Sequence, residues 1–163
     1  MMPTNALDLA ADDAALQAAV KRSRKLLNKR ALIAAVASAA PVPGLDWAVD
    51  AALLSRLIPQ INREFGLAPE QIDQLDPGKR EQVQKAVAMV GSVLIGSFIT
   101  RDLILKVVTK IGARLATKEV AKYIPLAGQL VAAGIGYAAI RYFGEEHMTD
   151  CIRVARQAQL RLN

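Results

Sequence analysis

Residues that carry most enzyme chemistry are scarce in this chain. Its 163 residues include one histidine, one cysteine and one tryptophan, and aromatic residues make up only 4%. A single cysteine excludes an internal disulfide and is typical of a reducing compartment. His147 and Cys151 lie four residues apart, but two ligands make a poor metal site, and no acid, base and nucleophile occur together. The sequence therefore predicts no enzyme, no metal and no cofactor, with a surface His147 beside a half-buried thiol.

Uncharged runs long enough to cross a membrane with ease are also missing. The three uncharged stretches cover residues 31–45, 86–100 and 123–140. A helix rises about 1.5 Å per residue, so they reach roughly 22 to 27 Å, against a hydrocarbon core of about 30 Å. Basic residues flank the second and third stretches on both sides, which suits helices that dip into the headgroup region and return. Two interpretations stay open: membrane insertion or docking, and a very apolar soluble bundle or oligomer.

Small aliphatic residues dominate the composition instead. Hydrophobic residues make up 53% of the chain, and abundant alanine favours helices because it loses no side-chain entropy there. No segment alternates with the period of a strand. We therefore expect an all-α fold, a helical bundle of about six or seven helices with apolar helical hairpins. It forms one domain over residues 1–163, with an N-terminal amphipathic helix extension over residues 1–19.

Local signals predict where the helices begin and end. An amphipathic helix over residues 5–30 continues until Pro41 stops it. A second helix runs from Leu45 to Phe65, with Pro59 inside it and Gly66 as its stop. A short helix is expected over residues 69–75.

The second half of the chain carries signals of the same kind. Asp76 caps the next helix and Pro77 takes its first position, before the sequence runs into the uncharged stretch 86–100. A basic helix follows from about Thr100 to Lys122. Gly144 ends the apolar segment after Pro125, and a separate final helix covers residues 145–161.

Positive charge is concentrated in two blocks, and the formal net charge is +6. The first block comprises Lys21, Arg22, Arg24, Lys25, Lys29 and Arg30. The second is a ladder at four-residue spacing, made of Lys106, Lys110, Arg114, Lys118 and Lys122. Basic amphipathic helices suit an anionic membrane surface, where each cation contributes about 1 kcal/mol. Nucleic acid is not favoured as the partner, because no aromatic residues interleave with the basic blocks and no DNA-binding module is recognisable.

Small residues at regular spacing predict close helix contacts. Gly128, Ala132 and Gly136 align along one helix face, and Gly91 and Gly96 form a looser version of the pattern. Residues 91–97, GSVLIGS, resemble a phosphate loop that lacks its lysine, so we interpret these glycines as packing positions. Such faces also suit a homo-oligomer.

Two short segments resemble a known family. Pro41, Pro43, Gly44 and Asp46 precede an apolar helix that ends at Phe65-Gly66, and Ile124, Pro125 and Gly128 precede a Gly/Ala-rich stretch that ends at Gly144. Together these segments cover roughly residues 20–150 and are similar to the YcjF-like bacterial family of unknown function. The resemblance implies a helical, membrane-associated domain. In that family the domain is often joined to, or encoded near, an Era-like or dynamin-like GTPase, and no catalytic residues carry over.

These observations lead to one functional expectation with two alternatives. We expect a membrane-associated helical module that docks on or inserts into an anionic membrane, at the bacterial inner membrane facing the cytoplasm, with a GTPase partner acting in trans. The first alternative is a soluble helical interaction or oligomerisation protein without catalytic activity. The second is a small pore-forming effector.

Overall fold

The protein is all-helical in the residues that the structure describes. The computed structural model describes residues 5–38, 45–100, 102–107 and 128–162, and this part of the chain contains helices and turns but no strand. Residues 102–107 are helical, and the other helices are α1 (Ala6–Leu9), α2 (Ala14–Ser38), α3 (Leu45–Glu64), α4 (Pro69–Asp73), α5 (Pro77–Val90) and α6 (Gly128–Gln157). The predicted all-α class is confirmed.

The N-terminal region contains two helices where the sequence predicted one. The chain turns between α1 and α2, and Asp13 caps the start of α2: its Oδ1 accepts the backbone N–H groups of Ala15, at 2.9 Å, and of Leu16, at 3.0 Å. These N–H groups have no partner inside the helix, so a carboxylate that accepts both favours a helix start here. The prediction of one continuous amphipathic helix from residue 5 was therefore wrong.

The predicted end of α3 and the predicted start of α5 are confirmed. Gly66 follows α3 with a φ of 70°, and the N–H of Leu67 donates to the carbonyl of Asn62 at 2.8 Å, the bond that closes a Schellman motif. Asp76 caps α5 by accepting the N–H of Lys79 at 2.9 Å. Pro77 takes the first helical position, where its missing N–H costs nothing.

The uncharged stretch 86–100 does not form one helix. Gly91 caps the end of α5 with a φ of 77°, and its N–H donates to the carbonyl of Val87 at 2.9 Å. Gly96 lies in the following turn region with a φ of 70°, where a Cβ would come 3.0 Å from Cδ1 of Ile72. Glycine adopts positive φ without steric cost, so both residues end or turn the chain. This placement corrects the prediction that Gly91 and Gly96 lie on a helix face.

Gly144 does not end a helix, because α6 runs through it from Gly128 to Gln157. The separate helix predicted over residues 145–161 is therefore the second part of α6. A glycine inside a helix costs about 1 kcal/mol relative to alanine. The buried Ile140, Met148 and Ile152 on either side of it offset that cost, since each contributes roughly 1.5–3 kcal/mol when fully buried.

The chain divides into two compact units. Unit 1 comprises Met1–Leu26, Ile58–Phe98 and Phe143–Asn163, and unit 2 comprises Leu27–Leu57 and Ile99–Tyr142. The core of unit 1 includes Leu16, Val20, Ile58, Ile61, Phe65, Leu67, Val83, Met148 and Ile152. The buried residues of unit 2 include Leu27, Ala31, Leu53, Leu54, Leu57, Ile104 and Ile140. The prediction of a single domain stays a prediction.

Candidate functional site

The first basic block divides into exposed and engaged residues. In unit 1, Lys21 and Lys25 are exposed and form no ion pair within the described part of the chain. Arg22 instead bonds to Glu64 of α3 at 2.5 Å. The guanidinium of Arg24 makes two bonds to the Glu145 carboxylate, at 2.7 and 3.0 Å. Arg24 therefore contributes to the assembly of unit 1, and the lysines present the free charge.

An exposed apolar face follows the basic block on α2, within unit 2. Leu32 is 62% exposed, Ile33 43% and Val36 72%, and the exposed Lys29 precedes them by one turn. Residues three and four apart are neighbours on a helix surface, so these four side chains form one continuous patch. We call Lys29, Leu32, Ile33 and Val36 the docking face. A patch that combines an ammonium group with exposed aliphatic side chains is typical of helices that bind at a membrane interface.

The predicted lysine ladder is described only at its start. Residues 102–107 are helical, and Thr100 caps this segment because its Oγ1 accepts the N–H of Leu103 at 3.2 Å. Ile104 is buried and Lys106 is exposed. The other members of the ladder, Lys110, Arg114, Lys118 and Lys122, lie outside the described residues.

The remaining predicted residues lie on helices or outside the described part. Asp46 lies in the first turn of α3, and Gly128, Ala132 and Gly136 lie on α6. The signature residues Pro41, Pro43, Gly44, Ile124 and Pro125 lie outside the described residues. No helix in the described part of the chain is both long enough and apolar enough to cross a bilayer.

A buried polar cluster in unit 1 was missed by the sequence reasoning. Asn62 of α3 is fully buried, and its Nδ2 donates to the carbonyl of Leu94 at 3.0 Å. Its Oδ1 lies 2.7 Å from Nε2 of His147 and 3.8 Å from Sγ of Cys151, both on α6. Both α6 residues are buried, so the prediction of a surface histidine beside a half-buried thiol was wrong.

The geometry of this cluster does not suit nucleophilic catalysis. Because the Asn62 amide donates to Leu94, its oxygen must accept, and Nε2 of His147 must carry the proton. Sγ of Cys151 lies 3.6 Å from that same nitrogen, so His147 has no free lone pair on the side of the thiol. Burial also raises the pKa of the Cys151 thiol well above its usual value. A buried thiol that stays protonated is a poor nucleophile, so this geometry favours packing over chemistry.

Two ionisable groups on α6 have strongly shifted pKa values. Burial lowers the pKa of His147 to about 4. Burial also raises the pKa of Asp150 to about 6, although the nearby Arg153 opposes this shift. Both shifts follow from the cost of holding a charge away from water.

No group of three or more potential metal ligands occurs among the histidine, cysteine and acidic residues that the structure describes. Unit 1 also carries an open groove of about 330 Å³ lined by Ile72, Val83, Val87, Ile95, Gly96 and Phe98, among others. Phe98 is 87% exposed at its edge. The described sites are thus an exposed patch, a groove with a mixed polar and apolar lining, and a buried polar cluster.

Comparisons with known proteins place the chain in a GTPase-related context. It is 32% identical over 131 residues to Interferon-inducible GTPase 5 of Bos taurus, which is 77% of this chain and 27% of that protein. It is 31% identical over 140 residues to Interferon-inducible GTPase 5 of Rattus norvegicus, 81% of this chain and 29% of that protein. The chain therefore spans less than one third of the length of these curated relatives. The similarity supports a GTPase-related helical region.

No protein-family model matches the chain, and no solved structure matches it. The YcjF-like family therefore stays a prediction.

Proposed function

We propose that the chain is a helical module that docks on an anionic membrane surface and works with a GTPase. The docking face of α2 carries this proposal: Leu32, Ile33 and Val36 are exposed beside Lys29 on one helix surface. Isolated apolar residues on a protein surface are ordinary, whereas a continuous patch next to cations marks a site of contact. Lysine stems lie along the lipid boundary while their ammonium groups pair with anionic headgroups.

The energetics of this face suit reversible docking rather than insertion. Each aliphatic side chain contributes up to about 1.5–3 kcal/mol when it leaves water completely. Each nearby cation adds about 1 kcal/mol on an anionic surface. The sum is enough for measurable binding to vesicles and far below that of a membrane-spanning helix. The proposed location is the bacterial inner membrane on its cytoplasmic side, as the YcjF-like resemblance implies.

Flotation with lipid vesicles tests this proposal. Wild-type protein is expected to float with vesicles that contain about 30% phosphatidylserine, and Lys29→Glu is expected to weaken binding by roughly 30-fold, because it replaces an attraction by a repulsion of similar size. Val36→Ser weakens binding by roughly fivefold through lost apolar contact.

Lys85→Glu is the matched control for this experiment, since it makes the same change in net charge on α5, at a side chain that is 71% exposed and is not part of the docking face. Binding that falls equally in Lys85→Glu and Lys29→Glu contradicts docking through this face. Protein that stays with the soluble fraction at low salt contradicts membrane docking altogether.

The GTPase part of the proposal is supported by the similarity to Interferon-inducible GTPase 5 and by the YcjF-like resemblance. In this proposal the GTPase acts in trans. The rate of GTP hydrolysis by a purified GTPase encoded beside this chain is expected to change when the chain is added together with anionic vesicles. An unchanged rate, with both proteins shown to bind the vesicles, contradicts a joint action.

A second candidate function is protein interaction without a membrane. The exposed Met89, Val93 and Phe98 lie in unit 1 at the end of α5 and in the chain that follows it, and Phe98 lines the groove. Exposed apolar side chains beside a groove favour a protein contact, including one between copies of this chain. Light scattering on detergent-free protein distinguishes the two functions. A stable, monodisperse oligomer that Phe98→Ser converts to a monomer supports the second.

A further inference from the structure

The groove of unit 1 is bordered by α4, α5 and the chain that follows α5. Ile72 of α4 and Val83 of α5 belong to its lining, and so does Phe98. Its volume of about 330 Å³ is at the lower end of the range for small-molecule sites, about 300–1,000 Å³. An open groove of this size suits a few side chains of a docked helix better than an enclosed cofactor.

The chain that carries Phe98 is held in place by the rest of unit 1. The side-chain amide of Asn62 donates to the carbonyl of the buried Leu94 at 3.0 Å. Gly96 lies close against α4, where a Cβ would come 3.0 Å from Cδ1 of Ile72. Phe98 is nevertheless 87% exposed. An aromatic side chain that a packed turn presents to water is typical of a contact surface, since aromatic residues are enriched in protein interfaces.

The groove also carries a negative charge. Among the described residues that line it, Asp73 is the one with a charged side chain, and it forms no ion pair within the described part of the chain. The two cations in the first turn of α5 bind backbone carbonyls instead. Arg80 donates to those of Asp73 and Leu75, and Lys79 to that of Ala158 at 2.9 Å. A partner that complements the groove therefore carries a cation next to aliphatic side chains.

The docking face of α2 has this chemistry. Its four residues, Lys29, Leu32, Ile33 and Val36, occupy positions i, i+3, i+4 and i+7, the spacing with which an amphipathic helix enters a groove. Leu32 is 62% exposed and Val36 72%, so the face has no cover within the single chain. The chain thus carries both an acidic groove and a basic, aliphatic helix face.

We propose that the docking face of one copy of this chain binds in the groove of a second copy, with Lys29 beside Asp73 and the aliphatic side chains against Phe98. Two different surfaces meet in this contact, so it is head-to-tail and continues into rings or open chains. The contact uses the same four side chains as membrane docking, so self-association and membrane binding compete. This competition rests on the proposed function, whereas the contact itself does not.

The contact is expected to be weak. One helix face and one groove bury much less than the roughly 800 Å² per partner of a standard stable interface. A dissociation constant on the order of 10–100 µM is therefore expected. A contact of this strength leaves the docking face accessible to a membrane at low protein concentration.

Light scattering on the full chain, without lipid or detergent, tests the contact. Between about 5 and 200 µM the average mass is expected to rise past twice the chain mass of 17.5 kDa, as a head-to-tail contact requires. Asp73→Lys and Lys29→Glu each reverse one charge and are each expected to weaken association roughly tenfold. The matched controls Asp8→Lys and Lys85→Glu change exposed side chains outside both surfaces and are expected to change association less than about threefold.

An equal mixture of Asp73→Lys and Lys29→Glu separates a direct contact from an indirect effect. The two altered surfaces have opposite charges, and so do the two unaltered ones, so every contact between unlike copies is attractive. Association is expected to return to within about threefold of wild type. A mixture that associates no better than either variant alone overturns the proposal, and so does a wild-type chain that stays monomeric at about 200 µM.

Apolar variants decide the question if circular dichroism shows that a charge variant is not folded. Phe98→Ser in the groove and Val36→Ser on the docking face are each expected to weaken association roughly fivefold. Unchanged association in both variants overturns the contact.

Flotation with phosphatidylserine vesicles tests the competition. Asp73→Lys leaves the docking face intact, so at about 100 µM protein it is expected to bind vesicles roughly threefold better than wild type, whose face is partly occupied. Equal binding by the two, with wild type shown to associate, overturns the competition. Wild type that associates but never floats contradicts membrane docking and supports the contact. Wild type that floats but stays monomeric in water supports membrane docking and overturns the contact.

Discussion

At the scale of single residues, Asn62 connects three segments of unit 1 through its contacts with Leu94, His147 and Cys151. The spacing of His147 and Cys151 predicts one helix face, and α6 confirms it, since both side chains meet Asn62. Their burial and their partner lay beyond the sequence signal, because Asn62 is 85 residues away from His147 along the chain. An asparagine within an apolar helix carries no local signal for a contact at that separation. Only the packing of α3 against α6 brings the three side chains together.

Replacing Asn62 by alanine is expected to lower the free energy of unfolding by about 3 kcal/mol. The change leaves the N–H of His147 and the carbonyl of Leu94 buried without partners, and each such group costs about 1–3 kcal/mol. Urea denaturation followed by circular dichroism measures it. Gln60→Leu is the control on the same helix: Oε1 of Gln60 is buried without a hydrogen-bond partner, so its loss is expected to be neutral or stabilising. An equal decrease in the free energy of unfolding in both variants contradicts a specific role for Asn62.

Asp150→Asn is expected to stabilise the protein at neutral pH by about 1 kcal/mol, a value reduced for the partial exposure of this side chain. The folded-state pKa of Asp150 is raised to about 6, so the ionised carboxylate destabilises the fold above that pH. Below about pH 3.8 the carboxyl is neutral in both states and the benefit of the substitution disappears. Urea titrations at pH 7.5 and pH 3.5 measure the difference in the free energy of unfolding between the variant and the wild type. A stabilisation that is the same at both pH values contradicts an origin in the ionised carboxylate.

At the scale of helices, the sequence predicts ends that depend on local chemistry. The Schellman turn at Gly66 and the cap at Asp76 depend on residues within five positions of each other, and both were predicted. The break before α2 was missed because Asp13 lies in an alanine-rich stretch that reads as continuous helix. Gly144 was misread for the opposite reason, since its local signal favours a helix end while buried neighbours on both sides keep α6 intact.

Gly66→Ala is expected to lower the free energy of unfolding by about 1–2 kcal/mol, because the φ of 70° at this position strains an L residue. A Cβ there also comes 3.3 Å from Cδ2 of Leu162. Gly78→Ala is the matched control, since Gly78 lies in the first turn of α5. Its replacement is expected to stabilise the protein by about 0.5 kcal/mol through the unfolded state. Thermal unfolding of both variants measures these changes in stability. A decrease in stability for Gly78→Ala as large as that for Gly66→Ala contradicts the explanation by backbone strain at Gly66.

At the scale of the whole molecule, basic composition alone is a poor guide to the binding surface. The sequence predicted eleven basic residues as one class of site, but Arg22 and Arg24 form ion pairs within unit 1. The sequence does not distinguish the exposed aliphatic residues of the docking face from their neighbours, because residues 31–40 carry no charge and are almost all apolar. Their exposure depends on which side of α2 is packed, and periodicity in an alanine-rich helix does not mark that side clearly.

The docking face predicts how binding to membranes depends on salt. Lysine contacts with anionic headgroups weaken as the Debye length shortens from about 10 Å at 0.1 M salt to about 3 Å at 1 M, whereas apolar contacts do not. The affinity for vesicles with phosphatidylserine is expected to fall by about fivefold over that range, because one lysine contributes about 1 kcal/mol, and to leave a residual apolar component. Vesicle co-sedimentation measures it. An affinity that is independent of salt contradicts the role of the cations.

The most direct test places a probe on the docking face itself. Because Cys151 is fully buried, Val36→Cys can be labelled selectively at pH 7 with an environment-sensitive fluorophore, with Lys85→Cys as the control on α5. On addition of vesicles with phosphatidylserine, the probe at position 36 is expected to shift to the blue and brighten, while the probe at position 85 stays unchanged. Unchanged emission at position 36, in protein that floats with the same vesicles, would contradict docking through this face of α2.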